Sequence, residues 1–342
     1  MKELRVVIAG FGVVGEAFAS LLLEKELFLR ERHDLQVTVV GIGGSSKGSI
    51  LNNGGISLAA ILRAKKDGIS FDKVCEGTGG LSTIDLIKQS AADLLVEVTP
   101  TNFIDGLPGF DHINLALDKG FHVVTVNKGP IALFYKRLSE KACKKGVKLK
   151  IEGTVISGTP VISLIESGLR GAEILSVRGI LNGTTNYILC EMEEGADYSA
   201  ALQKAQDLGY AETDPTGDVE GHDAAGKVLI LANAIMGGDL SYSEVECKGI
   251  SQITSEMVLE AKNEGKRFKL VGEVFRSRET GKIKASVKPE KVAVTSFLGS
   301  LKGAENGLVI NTDTLGEVCI KGPGAGGRET AFGILSDILN IV

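Results

Sequence analysis

The stretch that most restricts what this chain can fold into is its beginning. Leu4 to Ala9 is a short run rich in β-branched residues, it stops at Gly10-Phe11-Gly12-Val13-Val14-Gly15, and Glu16 to Lys25 continues with the apolar spacing of a helix. A strand, a G-x-G-x-x-G turn and a helix in that order use each glycine differently. The first permits a tight turn, the second lets a pyrophosphate approach the backbone, and the third lets the helix lie close on the strand. The spacing alone is a weak signal. Its place between strand and helix favours a dinucleotide-binding turn over a plain glycine-rich one, with Gly10, Gly12, Val13, Val14 and Gly15 as candidate contacts. Gln36 to Ile42 reads as a second strand closing a βαβ unit, and the class implied is an α/β fold with a doubly wound parallel sheet.

An acid at the end of that second strand would hold the ribose hydroxyls of NAD. The chain has Gly43-Gly44-Ser45-Ser46-Lys47-Gly48 instead. Donors without an acid point to a 2′-phosphate, so Ser45 and Lys47 are candidate contacts and NADP is expected ahead of NAD, which stays open. Lys47 also reads as a solvated loop charge. Ala92 to Thr101 and Phe121 to Lys128 are buried-type strands, and each ends in polar residues where a parallel sheet meets its ligand. Thr99 and Lys128 are therefore candidates at the cofactor crevice. Val147 to Glu152 is the last strand of this half. Residues 52–71, with helical spacing over 57–66, form an excursion to which the sequence assigns no chemistry.

With 342 residues the chain is long enough for two domains, each with its own core. A formal net charge of -5 leaves no basic surplus for a phosphate backbone, which argues against nucleic acid as a partner. No apolar run approaches the ~20 residues that a membrane helix needs. The opening MKELRVVIAGFG lacks an export signal, so a cytoplasmic location is expected. The five cysteines (Cys75, Cys143, Cys190, Cys247, Cys319) are scattered without a C-x-x-C pair and read as reduced thiols, mostly buried. His33, His112, His122 and His222 show no metal-ligand spacing.

The second half carries the chemistry. Glu152 to Pro160 and Gly179 to Tyr187 are runs of small and hydroxyl residues, each opening a helix-like segment, and turn or capping chemistry explains their single residues. Then Glu212, Asp214, Asp218, Glu220 and Asp223 place five carboxylates in twelve residues, with Lys227 the next ionisable group after them. On a helix Asp223 and Lys227 share a face and present a carboxylate and an ammonium together, which suits a small zwitterionic substrate. The plainer account makes Asp218 an N-cap and Asp223–Lys227 a surface ion pair. His222 points about 100° away from Asp223 and reads as a bystander. From Gly249 onward Phe268–Phe275, Lys282–Lys288, Gly307–Thr312 and Gly316–Lys321 alternate as strands. Gly322 to Gly326 marks a return to the first domain through a helix over Glu329–Ile338.

Four blocks together resemble homoserine dehydrogenase in its short form, without a kinase fusion or C-terminal regulatory domain: GFGVVG at Gly10, NKGPIA at Asn127, the Glu152–Leu189 segment, and GYAETDPTGDVEGHDAAGK from Gly209 to Lys227. The last block is the most specific. The resemblance implies a Rossmann-type domain over 1–150 and 323–342, and a central α+β substrate, catalytic and dimerisation domain over 151–322. It implies that Lys227 is catalytic, that Asp223 and Glu212 contact substrate, that Asp218 supports them, and that Lys128 lies beside substrate and cofactor. Gly209 and Gly324 join the cofactor contacts, and Thr184 and Tyr210 the substrate neighbours. A monovalent cation, Na or K, is implied on Glu152, Val155, Ser157 and Thr159, and a homodimer is expected.

The chemistry follows from the residues as well. Hydride arriving at an aldehyde carbon leaves negative charge on the oxygen, and a positioned ammonium stabilises that charge and gives up a proton. Lysine can do this and arginine cannot, because arginine holds its proton. The reaction that the resemblance implies is NAD(P)-dependent interconversion of L-homoserine and L-aspartate 4-semialdehyde, toward threonine, methionine and isoleucine. The alternatives are a related amino-acid semialdehyde dehydrogenase and a catalytically inactive dinucleotide-binding regulatory protein.

Overall fold

The computed structural model describes residues 1–44, 47–74 and 77–342. The chain divides into two compact units, Met1–Gly158 with Gly326–Val342, and Thr159–Ala325.

In the first unit β1 (Lys2–Ala9), β2 (Leu35–Gly44), β3 (Gly48–Leu51), β4 (Thr78–Gly79), β5 (Leu94–Glu97), β6 (His122–Thr125) and β7 (Leu149–Lys150) form one sheet in the order β4-β3-β2-β1-β5-β6-β7. The strands from β2 to β7 along this order run parallel, whereas β3 and β4 extend the sheet antiparallel. Strand order reverses between β1 and β5, the place where a doubly wound sheet opens its ligand crevice. All four residues of β5 are buried, as expected of a strand covered on both faces. The first helix is longer than its apolar spacing suggests, Val13–His33, because Gly12 starts it and Asp34 closes it in the left-handed conformation. Its Phe18, Ala19 and Leu22 share a core with Ala331, Ile334 and Ile338 of helix Gly327–Leu339. The excursion at 52–71 contains helix Leu58–Lys66, capped by the Ser57 hydroxyl.

The unit boundary falls beyond residue 150 for a physical reason. The Glu152 N–H donates to Asp337 Oδ2 at 2.9 Å, and a Cβ on Gly158 would lie 2.2 Å from the Glu329 carbonyl oxygen. The 151–158 loop is therefore built against the C-terminal helix.

In the second unit β8 (Ile174–Ile180), β9 (Glu246–Cys247), β10 (Lys266–Arg276), β11 (Ile283–Ala293), β12 (Glu305–Thr312) and β13 (Gly316–Pro323) form a sheet in the order β13-β12-β8-β10-β11-β9, antiparallel except for the short β9–β11 pairing. Helices Gly183–Glu193 and His222–Ile230 pack on it. Residue 272 must be small for this: a Cβ on Gly272 would stand 2.6 Å from Val228 Cγ2 and 2.9 Å from Leu181 Cδ1. The sheet thereby seats the helix that carries Asp223 and Lys227.

One expectation fails. Among the described cysteines Cys143, Cys247 and Cys319 are exposed and Cys190 is half-buried, all of them free, whereas the sequence reads as holding mostly buried thiols. Cys319 lies on β13, an edge strand that alternates toward solvent, and Cys143 on the outer side of helix Lys128–Lys145. Cys75 lies outside the described residues. Among the described residues no helix is long and apolar enough to cross a membrane.

Candidate active site

In the first unit the glycine turn has the steric form its spacing predicts. Gly10 is left-handed at φ 101, and a Cβ there would lie 2.7 Å from the Val98 carbonyl oxygen. A Cβ on Gly15 would stand 2.5 Å from the Gly10 carbonyl oxygen, so helix and turn touch through this glycine. A Cβ on Gly12 would meet nothing within 4 Å, so the turn is open where a pyrophosphate needs room. Gly12 is also the N-cap and offers no side-chain acceptor, which leaves the first N–H groups of helix Val13–His33 to an anion. Val13 opens that helix largely exposed, and Val14 is half-buried. These residues fit a bound dinucleotide.

Lys47 sits in the turn between β2 and β3, where its carbonyl accepts from the Phe71 N–H at 2.9 Å and the Ser70 hydroxyl at 3.2 Å. Ser45 lies outside the described residues. Sequence reasoning missed a second cation. Lys65 reaches from helix Leu58–Lys66 to the turn, with Nζ 3.1 Å from the carbonyl oxygens of both Phe11 and Gly12 and 2.7 Å from Glu16 Oε2. No local spacing links residue 65 to residue 11, so only the fold reveals it.

Thr99 follows β5, and its N–H donates to Glu97 Oε1 at 3.1 Å. Lys128 opens helix Lys128–Lys145, half-buried, directly after the N-cap Asn127. Glu152, Val155 and Ser157 are all buried in the loop against the C-terminal helix. Ser157 is left-handed at φ 51, and its hydroxyl lies 2.9 Å from Thr330 Oγ1. Thr159 falls in the second unit, its hydroxyl donating to the Pro323 carbonyl at 3.2 Å. Among the described residues no group of three or more His, Cys, Asp or Glu is gathered as a metal site.

In the second unit the acid cluster becomes specific. Lys227 and Asp223 stand one turn apart on helix His222–Ile230, with Nζ 2.7 Å from Asp223 Oδ2 and 2.6 Å from the Leu181 carbonyl oxygen. Lys227 is only 7% exposed, which removes the account of an ordinary surface pair. Asp218 is not an N-cap either. It lies within the short helix Thr216–Val219, and helix His222–Ile230 starts instead from left-handed Gly221. The Asp218 carboxylate is engaged by a side chain from another element, since Asn182 donates from Nδ2 to Asp218 Oδ1 at 2.6 Å and to Asp223 Oδ2 at 3.1 Å. Burial pushes the Asp218 carboxyl above the usual aspartate range and neighbouring Asp223 adds to this, while the Asn182 amide pulls the other way. Asn182 is the second residue that sequence reasoning did not single out. It caps helix Gly183–Glu193 through the Thr185 N–H at 2.9 Å while bridging the two acids.

Thr184 donates to the Tyr210 carbonyl at 2.6 Å, and the Tyr210 ring stands 4.9 Å from that of Tyr187. This pins the start of the loop that leads to Glu212. Glu212 is exposed, with its carbonyl accepting from Gln206 Nε2 at 3.0 Å. His222 is exposed and offers only its carbonyl, to the Tyr242 hydroxyl, in keeping with a bystander. Gly209 turns left-handed at φ 75 after helix Tyr198–Asp207. Gly324 passes so close to Asn306 that a Cβ there would lie 2.1 Å from Asn306 Cγ.

Two family models match the chain. Residues 10–152 match the NAD-binding domain of homoserine dehydrogenase, and residues 160–339 match homoserine dehydrogenase itself. The chain belongs to the homoserine dehydrogenase family. It is 40% identical over 341 residues to an NAD(+)-dependent homoserine dehydrogenase of Pseudomonas canavaninivorans, covering 100% of this chain and 97% of that one. It is 43% identical over 337 residues to a homoserine dehydrogenase of Methanocaldococcus jannaschii, covering 98% of each. Among solved structures it resembles a hyperthermophilic archaeal homoserine dehydrogenase in complex with NADPH, with a TM-score of 0.85, 31% identity, and coverage of 99% of this chain and 98% of that one. Membership makes this enzyme an oxidoreductase with a nicotinamide dinucleotide domain, and its two sheets agree with a Rossmann-type fold plus a second α/β domain.

Proposed function

We propose that this enzyme interconverts L-homoserine and L-aspartate 4-semialdehyde, a step in aspartate-family amino-acid biosynthesis, and that the second unit supplies the acid–base and substrate-binding groups. The observation that carries the reading is the pair that buried Lys227 makes with half-buried Asp223, tied to Asp218 by Asn182. A dinucleotide-binding protein without catalysis has no use for it.

The dinucleotide supplies the hydride acceptor or donor when bound. Gly10, Gly12, Gly15 and the amides at Val13 and Val14 hold its pyrophosphate, with Thr99, Lys128, Gly209 and Gly324 as further contacts. Lys47, the absence of an acid after β2, and the cation Lys65 at the turn support NADP ahead of NAD. Lys227 is fixed by two acceptors, the Leu181 carbonyl and Asp223, so its Nζ has a defined position. As homoserine is oxidised Lys227 acts as the neutral amine and accepts the hydroxyl proton, and in the reverse direction the resulting ammonium returns that proton to the developing alkoxide. Lys128 adds a second positive group. Asp223 and Glu212 bind the substrate ammonium, and Asp218 holds Asn182, and through it Asp223, in place. Thr184 and Tyr210 secure the loop.

A monovalent cation on backbone oxygens of Glu152, Val155, Ser157 and Thr159 belongs to the same reading. Its support is the left-handed Ser157, a conformation that a non-glycine residue keeps only where its surroundings impose it. A cytoplasmic homodimer completes the picture, with sedimentation velocity as its check. The function is tested by following NADPH absorbance after adding aspartate semialdehyde. Oxidation dependent on that substrate supports the reading, and none with either cofactor overturns it.

A further inference from the structure

Glu97 is a carboxylate buried to 0% exposure at the end of β5, and neither the glycine turn nor the acid cluster uses it. In the sheet it pairs with Ala9, the residue before Gly10, on one side and with Thr125 on the other. It therefore stands under both the glycine turn and the start of helix Lys128–Lys145.

Its two oxygens are engaged separately. Oε1 accepts from the Thr99 N–H at 3.1 Å and from the Thr99 hydroxyl. Oε2 accepts from the Thr125 hydroxyl at 3.2 Å, which also reaches the Glu97 carbonyl at 3.1 Å. Both arms then meet on one residue. Asn127 donates its backbone N–H to Thr125 Oγ1 at 3.1 Å and its side-chain Nδ2 to Thr99 Oγ1 at 3.2 Å. With backbone and side chain both fixed, Asn127 turns Oδ1 to accept the Gly129 N–H at 3.2 Å and caps the helix whose first residue is Lys128. His112 is the titratable group facing this carboxylate, with Nδ1 3.6 Å from Glu97 Oε1, itself buried and making no hydrogen bond through that atom.

We infer that Glu97 is a positioning residue that fixes Lys128 through the closed circuit of Thr99, Thr125 and Asn127. The inference rests on the reading that Lys128 lies at the reacting centre. A buried carboxylate is an expensive way to join two threonines, since removing it strands their donors without water. An apolar residue would fill the space but would fix neither arm. The Val98–Thr99 backbone carried by Glu97 is also the surface on which Gly10 packs, so one group sets the level of both the turn and the lysine.

The test is a double-mutant cycle with Glu97→Ala and Lys128→Ala, read in homoserine oxidation beside the unaltered enzyme. Glu97→Ala is expected to lower kcat by about ten- to a hundredfold, the scale of an ångström-sized misplacement of a catalytic group. Glu97→Gln, whose amide oxygen serves Thr99 and whose NH2 reaches Thr125, is expected to restore kcat to within about threefold. The double variant should be no worse than Lys128→Ala alone. Hydrogen exchange over residues 127–131 supplies a readout without turnover and should quicken about tenfold in Glu97→Ala but not in Glu97→Gln. Should Glu97→Ala fail to fold, Thr125→Val cuts one arm and takes its place in the same cycle. Unchanged kcat in a folded variant, losses that multiply with Lys128→Ala, or no rescue by glutamine would overturn the assignment. Inactivity of the unaltered enzyme would instead overturn the proposed reaction and this inference with it.

Discussion

Lys227 Nζ stands 2.7 Å from Asp223 Oδ2, one helical turn away along the same face. The ammonium is shielded from water, and a shielded ammonium is stable only with acceptors around it. Here Asp223 and the Leu181 carbonyl supply them. The lysine is therefore held at one point, as a group that must meet a reacting oxygen has to be.

Glu212 tests the substrate half of the reading. Its exposed carboxylate follows a loop pinned by the Thr184–Tyr210 bond, and it is available to a ligand ammonium. Glu212→Gln preserves size and removes the charge. Partial solvent screening places the loss near the lower end for a charge-assisted bond, about 1.5 kcal/mol, or roughly tenfold in KM for homoserine. Steady-state kinetics at saturating cofactor, with thermal stability measured alongside, check this. An unchanged KM returns Glu212 to a plain surface acid.

Asp218 gives a prediction in pH. Burial raises its carboxyl above the usual value, so between the usual and the raised value the folded state holds a proton that the unfolded state has lost. The contribution of this group to stability is thus present at low pH and declines as pH rises through that window. Asp218→Asn removes the titration, so its stability relative to the unaltered enzyme should climb across the same window. Denaturant unfolding at stepped pH measures the difference, and a flat or falling one contradicts the assigned cause.

Cofactor choice is tested at Lys47. If its ammonium reads a 2′-phosphate, Lys47→Ala weakens NADP more than NAD, by about tenfold for loss of a charge-assisted contact. Calorimetric titration with each dinucleotide decides. Equal losses would show that Lys47 supports the turn without reading the phosphate.

What the sequence discloses is what is local in the chain. The strand, the three glycines and the helix behind them are contiguous, so their steric roles are legible without the fold. Asp223 and Lys227 are legible because four residues make one helical turn. Asn182, Lys65 and Glu97 are not, since each acts on partners distant in sequence: Asn182 on Asp218 and Asp223, Lys65 on the Phe11 carbonyl, Glu97 on Thr125. Strand β8 escapes for a different reason. Ile174–Ile180 carries Ser176 and Arg178 on one face and Gly179 on the other, so its alternation is broken, and pairing with β10 and β12 makes it a strand. The N-cap role given to Asp218 fails because left-handed Gly221 separates the two helical turns, which frees the carboxylate for Asn182.

Everything proposed for the second unit turns on Lys227 moving the proton in homoserine oxidation. The decisive quantity is the initial rate of NADP reduction with L-homoserine for the unaltered enzyme, Lys227→Ala and Lys227→Arg, each shown to be folded and to bind dinucleotide. Turnover by the unaltered enzyme is expected, with a loss of kcat of about 100- to 10,000-fold in the alanine variant, the range of general acid–base catalysis. Arginine, which keeps the charge but holds its proton, is expected to rescue little. Near-normal kcat in a folded Lys227→Ala enzyme would contradict the role assigned to this lysine.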